Sequence, residues 1–330
     1  MIRKLRAAVI GVGHLGQHHA RIYHDDPRVE LVGVVDIDEA RAKKIARKCS
    51  TDFFTRVEPL VGRIDVASVV VPTALHYSFA KLLLENGIHV LVEKPFTQSV
   101  QQAQELLTMQ QSKGLIVQVG HIERFNPAIA AMRGLVFDPV FVEVHRLCPY
   151  NPRGTDVGVV LDLMIHDIDI VLHLVPSRIR EIKAVGVPVV SKNEDLAHAR
   201  IEFNNGCVAN IAASKIGNKE MRKIRIFQPN AYISLDYQNQ EGLYYTMEGS
   251  RIRRSKIPLQ KGEPLRLEIG SFLECVQENR TPLVSADHGK QALEVAFEII
   301  RQIRRHNEER TAGKGRMAHK NHDQPVGAKL

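Results

Sequence analysis

The segment LDLMIHDIDIVLHLV, residues 161–175, is apolar enough to be a buried helix, yet it carries Asp162, His166, Asp169 and His173. At about 100° per residue these four side chains fall on one stripe roughly 60° wide. Burying a polar group without a partner costs roughly 2–7 kcal/mol, so the stripe must face a partner, bind a metal or line a site. Asp162, His166 and Asp169 have a spacing that metal ligands can use. The imidazole of His166 is also suited to proton transfer, because its unperturbed pKa lies near neutral pH.

A second chemical position is Lys94 in GIHVLVEKPFTQS, residues 87–99. An apolar run ends here in Glu93, Lys94 and Pro95. The proline disfavours helix at the preceding residue, so Lys94 should project beyond the end of a strand. A lysine there can polarise a substrate oxygen and share its proton. The competing reading is a surface lysine paired with Glu93.

The third position is AVIGVGHLGQHHA, residues 8–20, in which Gly11, Gly13 and Gly16 form G-x-G-x-x-G. Gly11 permits a tight turn, Gly13 lets the backbone approach a pyrophosphate, and Gly16 lets helix and strand pack closely. His14 and Leu15 line the same turn. The following helix would offer free N–H groups to the phosphates. Asp36 lies 20 residues after Gly16, where a carboxylate accepts hydrogen bonds from a ribose and repels a 2′-phosphate. No arginine follows it immediately in DIDEARAKK, which favours NAD over NADP. His14 and His18 are spaced like a metal pair, but rim histidines are the simpler reading, and no metal is expected.

These residues need particular elements behind them. Short, nearly continuous apolar runs at 5–10, 31–35, 66–71, 88–92 and 115–119 suit strands of a parallel sheet covered on both faces. Helical segments lie between them, near 15–24, 38–48, 75–86 and 98–113. This alternation predicts a doubly wound Rossmann domain over residues 1–122. After residue 122 the texture changes. A helix at 159–174 precedes short strands at 179–189, 197–203, 207–214, 222–228 and 231–235, with RIRRSK (251–256) read as a further strand. Two helices follow, near 264–279 and 287–306. Residues 123–310 therefore read as an α+β domain on an open, mostly antiparallel sheet that serves substrate binding and oligomerisation, with a basic tail at 311–330.

The chain has 330 residues, 44% hydrophobic and 25% charged, as two globular domains require. No stretch of about 18 apolar residues suggests a membrane span, and no signal-peptide pattern opens the chain. The four cysteines lie far apart with no C-x-x-C pair, which suits reduced thiols and a cytoplasmic location. The net charge of +8 is concentrated at the end: residues 301–330 hold eight Lys/Arg and three Asp/Glu, a difference of +5. A basic tail can touch nucleic acid, but nothing interleaves aromatic with basic residues there, so neither nucleic acid nor membrane is expected as a partner.

With the glycine loop, Asp36, EKP and DLMIHDID in this order, the chain resembles the glucose–fructose oxidoreductase / inositol dehydrogenase (Gfo/Idh/MocA) family over roughly residues 4–308. VPTALHYSFA resembles the family's T-P-N-x-x-H stretch, with Val71, Pro72 and Thr73 at its first three positions and His76 in place. The resemblance implies an NAD-binding domain followed by an open-sheet domain that commonly makes dimers or tetramers. It maps the catalytic lysine to Lys94 and the D-x-x-x-H pair to Asp162 and His166. It adds Pro72, Thr73, His76, Glu93 and Lys94 to the cofactor contacts. Nicotinamide would take the hydride, His166 the proton, and Lys94 would stabilise the alkoxide. Asp162 would orient His166 or bind a neighbouring hydroxyl, with Asp169 and His173 in supporting places.

GHIERFNPA (120–128) and VHRLCPYNPRGTDVGVVLDLMIHDID (144–169) resemble the branch that oxidises sugar nucleotides. That implies oxidation at C3 of UDP-N-acetylglucosamine, with an aminotransferase acting next. A diphosphate needs cationic contacts, arginine best, so Arg124, Arg146 and Arg153 are the expected substrate residues, with Asn126 and Tyr150. Two alternatives stay open: a dehydrogenase of free polyols or monosaccharides such as inositol, and a non-catalytic NAD-sensing regulator.

Overall fold

Asp65 takes the backbone N–H of Arg6 at 2.8 Å and its guanidinium, tying the starts of two neighbouring strands together at the edge away from the ligand end. The computed structural model describes residues 3–151 and 157–320. Its first domain runs β1 (Leu5–Ile10), α1 (Gly16–Asp25), β2 (Val29–Val35), α2 (Glu39–Lys48), β3 (Asp52–Phe54), β4 (Val66–Val69), α3 (Thr73–Glu85), β5 (His89–Glu93), α4 (Val100–Lys113) and β6 (Val117–Gly120). All six strands are parallel, in the order β3-β2-β1-β4-β5-β6. The order reverses between β1 and β4, and ligands of such sheets lie in the crevice beyond the carboxyl ends at that point. β3 was not expected. It has three residues, of which Asp52 and Phe53 are exposed, so it carries no apolar run to read.

The second domain begins with α5 (Pro127–Ala130) and β7 (Phe141–Leu147). A π-helical turn at Val160–Met164 leads into α6 (Ile165–Leu174). Then come β8 (Ile179–Val187), β9 (Leu196–Phe203), β10 (Val208–Ser214), β11 (Met221–Gln228), β12 (Ala231–Asp236), β13 (Glu241–Glu248) and β14 (Arg251–Lys256). The sheet order is β14-β13-β12-β11-β7-β10-β9-β8, antiparallel except for the β7–β10 pair. One face of this sheet packs on α6, and a single apolar core runs from there beneath the first sheet.

α7 (Pro264–Glu278) and α8 (Ala286–Lys320) return to the first domain. α7 packs on α1 and β5, with Arg266 bonded to Asp25 at 3.0 Å and Arg28 to Glu274 at 3.3 Å. α8 touches α4 and β6 on one side and α6 and β8 on the other. The sequence placed the end of this helix near residue 306, but it is continuous to Lys320. Among the described residues no helix is long and apolar enough to cross a membrane.

Candidate functional site

The turn after β1 shows what its three glycines do. Gly11 sits at φ +89°, and a Cβ there would lie 2.5 Å from the Val70 carbonyl oxygen. A Cβ on Gly16 would lie 1.9 Å from the Gly11 carbonyl oxygen, so no larger residue lets α1 start this close to β1. A Cβ on Gly13 would meet nothing within 4 Å. That open face is where backbone can meet a pyrophosphate. α1 begins without a side-chain cap or an acidic residue in its first turn, leaving its N–H groups for an anion. These residues fit a dinucleotide. His14 and Leu15 are exposed on the rim.

Asp36 ends the β2 edge of the crevice and is buried. Its Oδ2 accepts the Val12 N–H at 3.0 Å and its Oδ1 the Asp38 N–H at 2.9 Å, which points the carboxylate at the glycine turn. Arg41, one turn into α2, places Nη1 at 3.2 and 3.3 Å from its two oxygens. Only a five-residue separation hints at that pair in the sequence.

At the other side of the crevice Lys94 follows β5, and its peptide bond to Pro95 is cis. Its Nζ donates to the Asp162 carbonyl at 2.6 Å and to Asp162 Oδ1 at 3.2 Å. Lys215, just past β10, sits 2.9 Å from Asp162 Oδ2 and donates to the Val157 carbonyl at 2.6 Å. Asp162 thus lies between two ammonium groups. Burial pushes its carboxyl pKa up, but Lys94 and Lys215 together hold it below the usual carboxylate range. Lys215 is a site residue that sequence reasoning missed, because only the parallel β7–β10 pairing brings it here.

His166 lies one turn after Asp162. Its Nδ1 is buried without a partner, and its ring stands at 90° to that of His121, centroids 5.9 Å apart. Burial, then the Lys94 charge, drives its pKa well below the ordinary value. The imidazole is therefore neutral at neutral pH and ready to accept a proton. The π-helical turn carrying Asp162 changes the phase of the helix, a feature common at functional sites. It also divides the stripe. Asp162 and His166 face Lys94, Asp169 pairs with Arg124 at 3.3 Å, and His173 is exposed. The metal reading of Asp162, His166 and Asp169 fails on this geometry: among the described residues no three His, Cys, Asp or Glu converge on an ion.

Several expected contacts lie elsewhere. Glu93 is buried beneath Lys94, its Oε2 taking the Lys94 N–H at 3.2 Å and its Oε1 facing His19 Nε2 at 3.3 Å. His76 is buried between the Pro95 and Val71 carbonyls, 2.8 Å from each. Both side chains brace the turns behind the crevice. Pro72 and Thr73 stand at its rim, at the start of α3.

Three of the expected substrate residues are buried and committed to partners inside the protein. Arg124 is buried, bonded to Asp169 and to the Leu283 carbonyl at 3.3 Å. Arg146 is buried in a bidentate pair with Asp167, at 2.8 and 2.9 Å, and also donates to Glu123 at 3.0 Å. Asn126 donates to Glu123 at 3.1 Å and to the Tyr237 carbonyl at 2.8 Å. Tyr237 closes the network with its hydroxyl on Asp167 at 2.6 Å. The physical reason is burial: an enclosed guanidinium needs carboxylates on every side, and these already occupy it. Their work is to hold α6, and with it His166, against the sheet. Tyr150 is exposed and open to a ligand, while Arg153 lies outside the described residues. Arg222 on β11 is part-exposed and donates to Glu123 at 3.0 Å.

Comparison with known proteins identifies the family and the fold. Residues 5–121 match the model of an oxidoreductase family with an NAD-binding Rossmann fold, and residues 138–234 that of the GFO/IDH/MocA C-terminal domain. The chain is 36% identical over 302 residues to the UDP-N-acetylglucosamine 3-dehydrogenase of Acidithiobacillus ferrooxidans, covering 89% of this chain and 96% of that one. A solved structure of that enzyme superposes with a TM-score of 0.87, covering 92% of this chain and 98% of the other. The scyllo-inositol 2-dehydrogenase (NAD(+)) of Bacillus subtilis is 28% identical over 330 residues, covering 92% and 95%.

Proposed function

This chain belongs to the Gfo/Idh/MocA family of NAD-dependent oxidoreductases, and on that footing we propose that it oxidises the C3 hydroxyl of UDP-N-acetylglucosamine to a ketone. The observation that carries the substrate is the 36% identity along nearly the whole chain to an enzyme named for that reaction. The observation that carries the chemistry is the meeting of Lys94 with Asp162, one turn from a buried neutral His166.

NAD supplies the hydride acceptor. The residues do the rest. Lys94 places its ammonium where the alcohol oxygen gains negative charge. His166 takes the hydroxyl proton. Asp162, held by Lys94 and Lys215, fixes the lysine and accepts a neighbouring hydroxyl. Because Arg124 and Arg146 are committed inside, the diphosphate falls to Lys215 and Arg222, and Tyr150 to the sugar or base. The product ketone is the substrate class of an aminotransferase, which is the expected next enzyme.

The likeness to an inositol dehydrogenase favours free polyols as a second reading. Initial rates of NADH formation with UDP-N-acetylglucosamine, UDP-glucose, myo-inositol and scyllo-inositol separate the two: the proposal fails if inositols are preferred. A non-catalytic NAD sensor has no use for Lys94 and His166 together. It is excluded by turnover that is lost when either is replaced.

A row of rings crosses the open face of the second sheet: Phe141, Phe227, Tyr232 and Tyr245, with centroids 5.8, 4.7 and 5.1 Å apart in turn. Phe227 is exposed. This is the face on which the proposed homodimer or homotetramer forms.

A further inference from the structure

The site leaves one buried acid unused. Glu268 on α7 is completely buried, and neither carboxyl oxygen has a hydrogen-bond partner among the described residues. No cation pairs with it there either. The surrounding polar atoms are in the same condition: Oε1 of Gln118, Nδ1 of His19, both ring nitrogens of His121 and Nδ1 of His166 are all sealed without hydrogen bonds. They come from different elements. Gln118 Nε2 donates to the Glu268 carbonyl at 3.0 Å. A Cβ on Gly120, next to His121, would lie 2.9 Å from the Glu93 carboxyl carbon. The His121 ring in turn stands against that of His166. Buried polar atoms of this kind hold internal water in proteins, and such water can carry a proton among them.

We infer that Glu268, coupled to Glu93 at the carboxyl end of β5, is a proton store whose charge follows that of the bound cofactor. The inference rests on NAD binding and not on the identity of the sugar. Without cofactor Glu268 carries its proton. Two buried carboxylates side by side cannot both ionise cheaply, and Glu93 is the one with partners. Oxidised cofactor held in the crevice would add a positive charge there, and Glu268 would release its proton to solvent. When the alcohol is oxidised, the C–H electron pair leaves with the hydride and the O–H proton passes to His166. With the cofactor's positive charge removed by reduction, the Glu268 carboxylate would take up that proton. One proton is lost on binding and one is retained on oxidation.

The charges around the pair agree with this assignment. Burial, then Glu93 on β5 and Asp169 on α6, push the Glu268 pKa well above the usual carboxylate range. Burial pushes Glu93 the same way, but His19 on α1 and Lys94 outweigh it and hold Glu93 ionised. Tyr23 on α1 feels Glu268 across the same interior. Asp169 is set apart by Arg124, with His288 of α8 nearby. His76 on α3 and His121 both feel the Glu93 charge.

The test is calorimetry of NAD binding to the cofactor-free protein at about pH 8, in phosphate and in Tris, whose ionisation enthalpies differ; the difference counts released protons. The wild type should release about one proton per NAD bound, and Glu268→Gln close to none. A wild-type count near zero, or an equal count in the variant, overturns the inference. Should the variant not fold, infrared spectroscopy of the wild type decides. Asp169, with a pKa pushed up to about 6, is ionised at about pH 8. A protonated-carboxyl C=O band should therefore be present without cofactor and lose intensity on adding NAD. Absence of the band, or a band that NAD leaves unchanged, overturns the inference equally. Failure of UDP-sugar turnover would leave both readouts intact and would count against the substrate alone.

Discussion

Lys94 reaches the site from the end of a strand and His166 from a helix. A positioned acid–base group contributes about 10²–10⁴-fold to rate. Lys94→Met and His166→Asn should each lower kcat by about that factor while leaving the NAD dissociation constant within about threefold; steady-state kinetics and calorimetry check this together. His121 makes a prediction about stability. Burial, then the Lys94 and Arg124 charges, depress its pKa to about 3. The unfolded chain therefore takes a proton near pH 6.5 that the folded chain refuses until about pH 3. Stability from this group is present above pH 6.5 and is lost as pH falls through that window. Thermal melts should drop between about pH 6.5 and 4, and less steeply in His121→Asn. The residues whose placement was legible in sequence are those whose neighbours in the chain explain them: the three glycines in the turn after β1, Asp36 before a helix cap, and Lys94 before a proline. Lys215 and Arg41 escaped because their partner, a carboxylate in each case, is reached only through space.

The arginines teach the same lesson at the level of elements. In FVEVHRL, Val142, Val144 and Arg146 alternate onto the buried face of β7. That period of two was the available signal that Arg146 points inward, and charge alone suggested a ligand contact instead. The resulting network fastens α6 to β7 through Asp167 and Tyr237. Arg146→Met leaves the buried Asp167 carboxylate without its cation, and breaking a buried pair in this way costs about 3–5 kcal/mol. A denaturant titration should show that loss, with kcat falling as well because His166 shares the helix. The parallel sheet was legible because its strands are apolar runs of ordinary length. β3, β7 and β13 were not: β3 is too short, β7 carries charge at alternate positions, and β13 buries little beyond Gly242.

The two domains share one continuous apolar core. α7 and α8, which follow the second sheet in sequence, pack on the first domain and hold the crevice between the two. A boundary drawn by texture at residue 122 could not foresee that return, since helix packing partners are not written in a local pattern. In the proposed oligomer the open sheet face would receive another copy. Phe227→Lys with Tyr232→Glu should shift the protein toward monomer in analytical ultracentrifugation, with Tm following concentration less steeply than in the wild type. All of this serves one claim, that the crevice between the glycine turn and Lys94 oxidises a sugar nucleotide. The direct measurement is the initial rate of NADH formation across UDP-sugars, inositols and free sugars, with an α-ketoacid included to recycle cofactor that stays bound. The account predicts kcat/KM for UDP-N-acetylglucosamine at least about tenfold above that for any inositol, a margin of about 1.4 kcal/mol. An inositol or free sugar oxidised faster than every UDP-sugar would contradict it.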